Sequence, residues 1–446
     1  MRSALRASSL VLSIVASSAF AQSPAIPISA DKLSYVRAGH LFDTANGRFR
    51  DNVVLVVAGD RIRSVEPGSF AIPADAPVTD LSADFVLPGL IDCHTHLGAR
   101  ADKYDPINDF LETPFTSAYA SVNNARKTLE AGFTSVRDVG SMPFQAVDLR
   151  NAINAGEIAG PRMVASGPIL SITGGHGDLN NYSPMVTVSL YPGHRDFSIA
   201  DGPAEVQKTV RDQVKYGVDV IKISASGGVL SKGDQPGAPQ YTEAELRMAA
   251  ETAHQASRKI AAHAHGTASI KMAIEAGIDS IEHASLVDDE GIRLAKQHGT
   301  YFVMDIYDDD YILGNAKNFG IPEEMLVKER SLGKLQRENF RKAWKAGVKM
   351  AFGTDAGVYP HGDNARQFHY MVMYGMTPAE AIQAATSSAA DLIGRAADVG
   401  TLTPGHFADL IAVREDPLQH IETLEHVPLV MKGGAVVKDE LSASKH

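Results

Sequence analysis

Residues that bind metals or transfer protons stand at the ends of short apolar segments in the middle of the chain. They are His94, His96, Lys222, His263, His265, His283 and Asp355. Neutral imidazoles suit zinc and similar divalent ions, and a carboxylate completes such a ligand set. A lone histidine is more often structural, but here an H-x-H pair combines with histidines at two later segments and an aspartate at the last. The set predicts a metal centre.

The apolar segments before these residues have the length of buried strands and alternate with amphipathic helical stretches. The eight strand candidates span residues 85–96, 134–140, 162–167, 218–228, 260–266, 280–285, 301–307 and 348–357. Eight strands, each followed by a helix or long loop, predict an α/β fold of the (β/α)8 TIM-barrel type, whose active site lies at the C-terminal strand ends. A doubly wound open sheet is the alternative, but no glycine-rich dinucleotide fingerprint follows the first strand.

Strand alternation sorts the side chains around the first histidine pair onto two faces. His94 and His96 point the same way, whereas Cys93 and Thr95 point the other way. We therefore expect Cys93, the single cysteine of the chain, to be buried on the side of the helices and chemically inert.

Short strands separated by turns occupy both ends of the chain. Residues 33–84 contain strand patterns with a Gly-Asp turn, and residues 408–415 and 428–439 have the same character. The two flanks predict one small β-sandwich built from both termini. The expected domains are a signal peptide at 1–21, sandwich segments at 22–84 and 401–446, and a barrel at 85–400.

The first 21 residues have the three parts of a secretory signal. Arg2 and Arg6 form a positive region, Leu10 to Val15 an apolar centre, and Ala19-Phe20-Ala21 a small-residue cleavage site. We expect cleavage after Ala21 and a secreted or periplasmic protein. The apolar run is too short to span a bilayer.

The charge balance argues against two classes of partner. The chain has 42 Lys and Arg against 53 Asp and Glu, a formal net charge of −11. Nucleic acids and anionic membranes attract clustered basic residues. We expect neither as a partner, and expect a small-molecule substrate instead.

The amino-acid sequences of several segments are similar to those of one enzyme family. PGLIDCHTHLG, TSVRDVG, SITGGHGD, HAHGTASIKMAIEAGIDSIEHAS and FGTDAG resemble the amidohydrolase superfamily, in its secreted or periplasmic dipeptidase-like branch. That branch includes Xaa-Pro and basic-residue dipeptidases, carboxypeptidase-like enzymes and ochratoxin-degrading amidohydrolases, and the chain most resembles the last. The resemblance covers nearly the whole mature chain and implies a barrel with a terminal β-sandwich.

The resemblance also implies a pair of divalent metal ions, with zinc as the expected element. The implied ligands are His94, His96 and Asp355 for one ion, and His263 and His283 for the other. Lys222 would bridge the two ions as N6-carboxylysine, because a carbamate supplies two anionic oxygens where an ammonium would be repelled. An internal ion pair is the alternative role of Lys222.

Three further residues are candidates for contact with the substrate, beside Asp355 as the proton-transferring residue. His265 shares the inward face of His263, and in relatives this place contacts the scissile carbonyl or the substrate carboxylate; a supporting histidine is the alternative. His176 lies in a glycine-flanked loop, and Tyr241 ends the long loop of residues 230–241.

Two charged segments keep two interpretations each. Arg137 and Asp138 near the end of the second strand could bind a carboxylate or form a buried ion pair. Residues 308–310, three aspartates after the seventh strand, could be a solvated turn or a pocket that prefers basic side chains.

The expected activity is hydrolysis of the amide bond in N-acyl amino acids or dipeptides with a free C-terminal carboxylate, with ochratoxin A as one such substrate, giving ochratoxin α and phenylalanine. Hydrolysis of a lactone or cyclic amide uses the same metals and stays open. A deaminase is disfavoured because Lys222 is present and no H-x-x-E follows the fifth strand. A periplasmic binding protein without activity is disfavoured because the whole ligand set is present. The resemblance also implies a homo-oligomer, such as an octamer.

Overall fold

The structure is a computed structural model that describes residues 32–101, 111–178 and 197–442, with the single residues 180, 182, 183 and 185. The predicted signal peptide and its cleavage after Ala21 lie outside the described residues. Within the described part, no helix is both long and apolar enough to cross a membrane.

Strands from both ends of the chain form one seven-stranded sheet, the terminal sheet. Its strands are β1 Leu33–Asp43, β2 Arg48–Ala58, β3 Arg61–Pro67, β4 Val78–Pro88, β12 Leu410–Val413, β13 Leu429–Lys432 and β14 Ala435–Asp439. The order is β14-β13-β12-β4-β1-β2-β3, so the antiparallel pairing of β12 with β4 joins the two ends of the chain. The predicted contribution of both termini to one β unit is confirmed, whereas the exact domain boundaries stay a prediction.

Alternation along β2 explains how the terminal sheet buries both of its faces. Leu55 and Val57 belong to one apolar cluster together with Leu410. Val54 and Val56, which alternate with them along the strand, belong to a second cluster. Side chains of successive residues in a strand point to opposite faces. The sheet is therefore packed on two sides at this strand.

Parallel strands form the centre of the chain. A three-stranded sheet contains β5 Leu90–Thr95, β6 Phe133–Asp138 and β7 Arg162–Ala165, and a four-stranded sheet contains β8 Val220–Ser224, β9 Lys259–Ala264, β10 Ser280–His283 and β11 Tyr301–Val303. All neighbouring pairs within these sheets are parallel. They match seven of the eight predicted strands.

The eighth predicted strand, residues 348–357, is not a regular strand. It makes isolated parallel bridges to both neighbours, Phe302 with Met350 and Thr95 with Ala356, and the Cys93 N–H donates to Phe352 O over 2.9 Å. On the other side of the ring, Leu170 bridges Ile223. The ring is thus completed by isolated bridges and backbone hydrogen bonds. The extended conformation ends at Asp355, whose φ of 55° lies in the left-handed region.

Helices follow the strands and cover them. They are α1 Pro114–Glu130, α2 Gln145–Asn154, α3 Pro203–Lys215, α4 Glu243–Gln255, α5 Thr267–Glu275, α6 Asp289–His298, α7 Asp308–Phe319, α8 Glu323–Ala346, α9 Arg366–Met373, α10 Pro378–Ala384 and α11 Ser387–Leu392, with a short 3₁₀ helix at Ile421–Glu425. Local signals fix their starts: Thr242 and Glu245 form a reciprocal capping box at α4.

The position of Cys93 confirms the face assignment made from strand alternation. Its side chain is fully buried among apolar residues that include Val303 and, from α11, Ala389. Burial raises the pKa of the Cys93 thiol, so the thiol stays protonated and inert.

Candidate active site

A cavity of about 150 Å³ lies at the C-terminal ends of the barrel strands. The predicted residues that line it are His94, His96, His176, Lys222, His263, His265, His283 and Asp355. The set predicted from strand-end positions is therefore brought together on one cavity. Tyr241 is the exception: it is buried in the apolar core, only 2% exposed, and does not line this cavity.

Asp355 faces the two histidines of β5. Its Oδ1 lies 3.1 Å from His96 Nε2 and 3.3 Å from His94 Nε2, yet this buried oxygen makes no hydrogen bond. Burial raises the pKa of Asp355, but the adjacent histidines outweigh burial and hold this pKa below its usual range. A buried ionised oxygen with two imidazole nitrogens around it and no hydrogen bond fits the coordination of a cation.

Lys222 reaches the same group of side chains from β8. Its Nζ lies 3.4 Å from His94 Nε2, and only 1% of the residue is exposed. Burial lowers the pKa of this amine. Among the described residues no carboxylate forms a close ion pair with Lys222, although the charges of Glu282, Asp355 and Asp305 act on its amine. Its role as an internal ion pair therefore stays an alternative.

Three histidines form the other half of the cavity floor. The ring centroids of His263 and His283 are 4.6 Å apart, and those of His265 and His283 are 4.7 Å apart. Ligand atoms of all three lie within 4.8 Å of one another, as do those of His94, His283 and Asp355. His265, predicted to contact substrate, is thus also close enough to share a metal with its neighbours.

In three of the histidine rings, the Nδ1 atom lies close to an oxygen of the protein. His96 Nδ1 lies 2.9 Å from Gly140 O, and His283 Nδ1 lies 2.8 Å from Asp305 Oδ2. His94 Nδ1 lies 3.1 Å from Glu282 Oε2, although without the alignment of a hydrogen bond. Oxygens placed behind metal-binding histidines orient the ring and select the tautomer. The arrangement leaves the Nε2 atoms of these rings for the cavity.

Burial keeps four of the imidazoles neutral. It lowers the pKa of His283 to about 4 and the pKa values of His94, His263 and His265 well below the ordinary value. At His96 the contact with Asp355 outweighs burial and raises the pKa. A metal ion binds the neutral imidazole, so the protonation state of the first four rings already matches the bound form.

The backbone is strained where the strands deliver these side chains. His283 and Ala284 have φ angles of 66° and 48°, and Asp355 has 55°. Such left-handed conformations cost about 1–3 kcal/mol each outside glycine and concentrate at functional sites. Two of these conformations are adopted by predicted ligands, His283 and Asp355, at the ends of their strand segments.

Comparison with known proteins agrees with this geometry. Residues 85–437 match the sequence profile of the amidohydrolase family. The chain belongs to the amidohydrolase family. Ochratoxinase of Aspergillus niger is 37% identical over 368 residues, which cover 79% of this chain and 75% of the relative.

Solved structures support the same assignment for this amidohydrolase. A Xaa-Pro dipeptidase with methionine bound in its active site is 37% identical with a TM-score of 0.84, covering 91% of this chain and all of that one, 100%. A. niger ochratoxinase superposes with a TM-score of 0.79 at 33% identity, covering 92% and 96%. The predicted family is confirmed, and so is the fold class, a (β/α)8 barrel with a β-sandwich. The chain is a hydrolytic enzyme of a superfamily that is generally metal-dependent.

The remaining predicted residues of the amidohydrolase occupy distinct places. The His176 ring stacks on His263, with centroids 4.2 Å apart. Arg137 is 2% exposed and its Nη2 lies 2.8 Å from Glu282 Oε1, which is the buried ion pair, while the Asp138 carboxylate accepts the Leu97 N–H. Neither side chain lines the cavity.

The three aspartates at 308–310, expected to form either a solvated turn or a pocket that prefers basic side chains, begin helix α7. Asp308 and Asp309 are buried, and Asp308 lines the cavity with Asp305 and Glu329. Burial raises the pKa of Asp308 and Glu329 well above the ordinary value. Acidic residues are favoured in the first turn because they face the positive end of the helix dipole.

Sequence reasoning missed Asp305, Glu282 and Glu329. Asp305 lies two residues after the end of β11, so the strand-end rule that found the histidines would also have found it. Glu282 lies within β10 next to His283, and Glu329 lies on α8, far along the chain from the strands. No local motif marks these two acids.

Proposed function

We propose that this amidohydrolase is a binuclear metal-dependent enzyme that cleaves the amide bond of N-acyl amino acids or dipeptides with a free C-terminal carboxylate. Ochratoxin A, cleaved to ochratoxin α and phenylalanine, is the first substrate to test. The relatives named ochratoxinase and Xaa-Pro dipeptidase support this substrate class. The observation that carries the proposal is the convergence of several histidines, one buried amine and one carboxylate oxygen without a hydrogen bond on a single cavity.

The chemistry of these donors fits two divalent ions, for which we propose zinc. The proposed ligands are His94, His96 and Asp355 for one ion and His263 and His283 for the other. When bound, such ions lower the pKa of water toward neutrality and polarise a carbonyl oxygen.

Lys222 is proposed to carry a carbamate between the two ligand groups. Burial lowers the pKa of Lys222, which increases the fraction of the amine that carries a free lone pair. That lone pair forms a bond to the carbon of CO₂, one nitrogen proton is released, and two anionic oxygens replace the amine as donors. The carbamate resolves the otherwise unfavourable burial of an amine beside His94.

Asp355 and His265 are proposed to handle the substrate. Asp355 accepts a proton from the attacking water and passes it to the leaving nitrogen, which departs poorly unless protonated. The His265 ring is held by Ser285, whose Oγ lies 2.7 Å from Nδ1, so Nε2 is left for the substrate carbonyl or carboxylate. We also propose a secreted or periplasmic location and a homo-oligomeric assembly.

A hydrolysis screen with metal analysis tests the proposal. We expect free amino acid from at least one of N-acyl-phenylalanine, Xaa-Pro, Xaa-Arg and ochratoxin A, with two equivalents of metal per chain. Release of no amino acid from any substrate, or fewer than one equivalent of metal in active enzyme, contradicts it. A Lys222→Ala variant with full metal content and activity contradicts the bridge. Turnover of lactones alone would instead favour the cyclic-ester alternative.

A further inference from the structure

The cavity is smaller than the proposed substrates require. Its volume is about 150 Å³, whereas pockets that enclose drug-sized ligands measure about 300–1,000 Å³. His94, Lys222 and His263, which line it, are each at most 4% exposed. A substrate with an acyl group and an amino acid therefore reaches these residues only when part of the cavity wall moves outward.

Two segments close the cavity from different parts of the chain. The wall loop, residues 227–241 after β8, contributes Val229 and Leu230 to the lining, and helices α7 and α8 contribute Ile312 and Leu332. Leu230 also packs on a small apolar cluster that contains Ile312 and, from the first half of α8, Met325. The loop thus closes the cavity through an apolar contact with the two helices.

Helix α8 changes its packing partners along its length. Met325 and Leu326 in its first half belong to the small cluster shared with α7, whereas Phe340 and Ala343 in its second half belong to the main core of the barrel. Gly333 stands between the two halves, and glycine weakens a helix interior. Helix α7 and residues 323–332 of α8, the helical unit, can therefore shift without opening the barrel core.

Lys328 joins the helical unit to the wall loop. Its Nζ donates to Ser231 O over 2.7 Å, to Asp234 Oδ1 over 2.9 Å and to Gly228 O over 3.0 Å. An ammonium has three hydrogens, so the loop accepts all of them. The side chains of Lys328 and Asp234 are only 11% and 5% exposed, and salt screens such a pair weakly. One side chain thus fastens residues 228–234 to α8.

We propose that Lys328 is a latch that keeps the cavity closed and thereby limits the size of the acyl group that the enzyme accepts. Opening separates the wall loop from the helical unit and breaks the three hydrogen bonds of Lys328. Lys328 does not line the cavity, so it is a positioning residue. The choice of substrates rests on the proposed function, whereas the latch itself is measurable without any reaction.

Metal loss to a chelator measures opening on the metal-loaded enzyme without a substrate. We expect Lys328→Met to accelerate metal loss by about 10-fold or more, because hydrogen bonds to a charged group no longer hold the cavity closed. The metal dissociation constant should stay unchanged, since no ligand is altered. Lys334→Met is the matched control: Lys334 is 86% exposed on the same helix and should behave as wild type.

A chemical rescue separates the ammonium from the volume of the side chain. Lys328→Cys is alkylated with bromoethylamine, which restores an ammonium at nearly the length of lysine. Cys93 is buried and its thiol stays protonated, so the introduced thiol is the one that reacts. We expect slow metal loss to return with bromoethylamine but not with bromoethanol, which restores length without charge.

A pair of substrates tests the size limit. N-acetyl-phenylalanine and N-naphthoyl-phenylalanine are compared by kcat/KM in wild type, Lys328→Met and Lys334→Met. We expect Lys328→Met to raise the ratio of the naphthoyl to the acetyl substrate by about 10-fold or more, because the open cavity is more populated. Lys334→Met should leave the ratio unchanged.

The remaining outcomes overturn the proposal or the proposed function separately. Wild-type rates of metal loss in Lys328→Met overturn the latch, and faster loss with an unchanged substrate ratio overturns the size limit. Equal losses of kcat/KM on both substrates show a structural role only. Wild-type enzyme that hydrolyses no amide overturns the proposed function instead. Hydrogen exchange then decides on the latch, with or without metal: faster exchange of residues 227–241 and 323–332 in Lys328→Met supports it, and wild-type exchange overturns it.

Discussion

Two regions of the cavity hold their polar groups by different means. The cavity floor comprises His94, His96, Lys222, His263, His265, His283 and Asp355. The cavity wall comprises the loop of residues 227–241 with helices α7 and α8. Every floor residue is on a barrel strand or directly after a strand segment, whereas the wall holds His176 through a loop anchored by Lys328 of α8. The floor is thus positioned by regular strands, whereas the wall depends on tertiary contacts between a loop and a helix.

The largest expected effect is on the floor, at Asp355. Asp355→Asn removes the proposed proton acceptor but keeps the shape of the side chain, and asparagine tolerates the left-handed φ of 55° at this position. We expect activity to fall by about 10²–10⁴-fold. Steady-state kinetics on the best substrate measure the loss, and circular dichroism checks that the fold is retained.

Asp289→Asn is the matched control for this change. Asp289 is exposed in the first turn of α6, and its substitution should leave kcat within about 2-fold, as expected for a surface position. Comparable kinetics for the Asp355 and Asp289 variants would remove Asp355 from the reaction.

The buried pair beneath the floor should dominate stability. Arg137 and Glu282 are 2% and 0% exposed in their side chains and lie 2.8 Å apart, with Glu282 also 3.1 Å from His94. Arg137→Met leaves the carboxylate buried without a counter-charge and should cost about 3–5 kcal/mol in the free energy of unfolding. Urea denaturation measures it.

An exposed pair of the same chemistry supplies the control. Arg126 and Glu130 lie 2.7 Å apart on α1 but are half and one-third exposed, at 50% and 37%. Arg126→Met should cost less than about 1 kcal/mol. If the two arginine variants unfold at the same urea concentration, the pair under His94 has no special structural role.

The floor residues were predictable because they all lie at C-terminal strand ends. A parallel barrel places every C-terminal strand end on the same face, so a list of polar residues at those ends is already a list of neighbours. The same periodicity placed Cys93 correctly on the helix side. The barrel, the sheet from both termini and the histidine set all follow from patterns within about ten residues of sequence.

Contacts within the wall and in the buried pair beneath the floor were not predictable because tertiary packing alone brings these residues together. Lys328 and Asp234 are 94 positions apart, and Arg137 and Glu282 are 145 apart. Tyr241, in contrast, was predicted as a site residue but does not line the cavity. Its position at the end of a long loop suggested a substrate contact, but its ring packs into the core. A loop sequence carries no periodicity from which side-chain direction can be read.

Metal affinity should respond to the oxygen behind His283. Asp305 holds His283 Nδ1 at 2.8 Å and is itself bound by Gln336 Nε2 at 3.1 Å. Asp305→Ala frees the imidazole to rotate and should weaken metal binding by about 10–100-fold. Competition with a chelator measures the dissociation constant. Asp310→Ala, which removes a carboxylate paired with Arg337 at the rim, should leave metal affinity unchanged, and an equal loss in both variants would contradict the role of Asp305.

The smallest expected effect is on stability, and it differs between the two helices of the wall. Gly314 is exposed on α7 with nothing within 4 Å of a Cβ, whereas a Cβ at Gly333 on α8 would collide with the carboxylate of Asp309. Gly314→Ala should raise stability by about 0.5–1 kcal/mol because alanine loses less backbone entropy in a helix. Gly333→Ala gains the same entropy but must displace a buried acid, so it should lower stability. Thermal unfolding of both variants measures the difference. Stabilisation by both would show that α8 can move away from α7, and that the wall is less rigidly packed than the barrel that supports it.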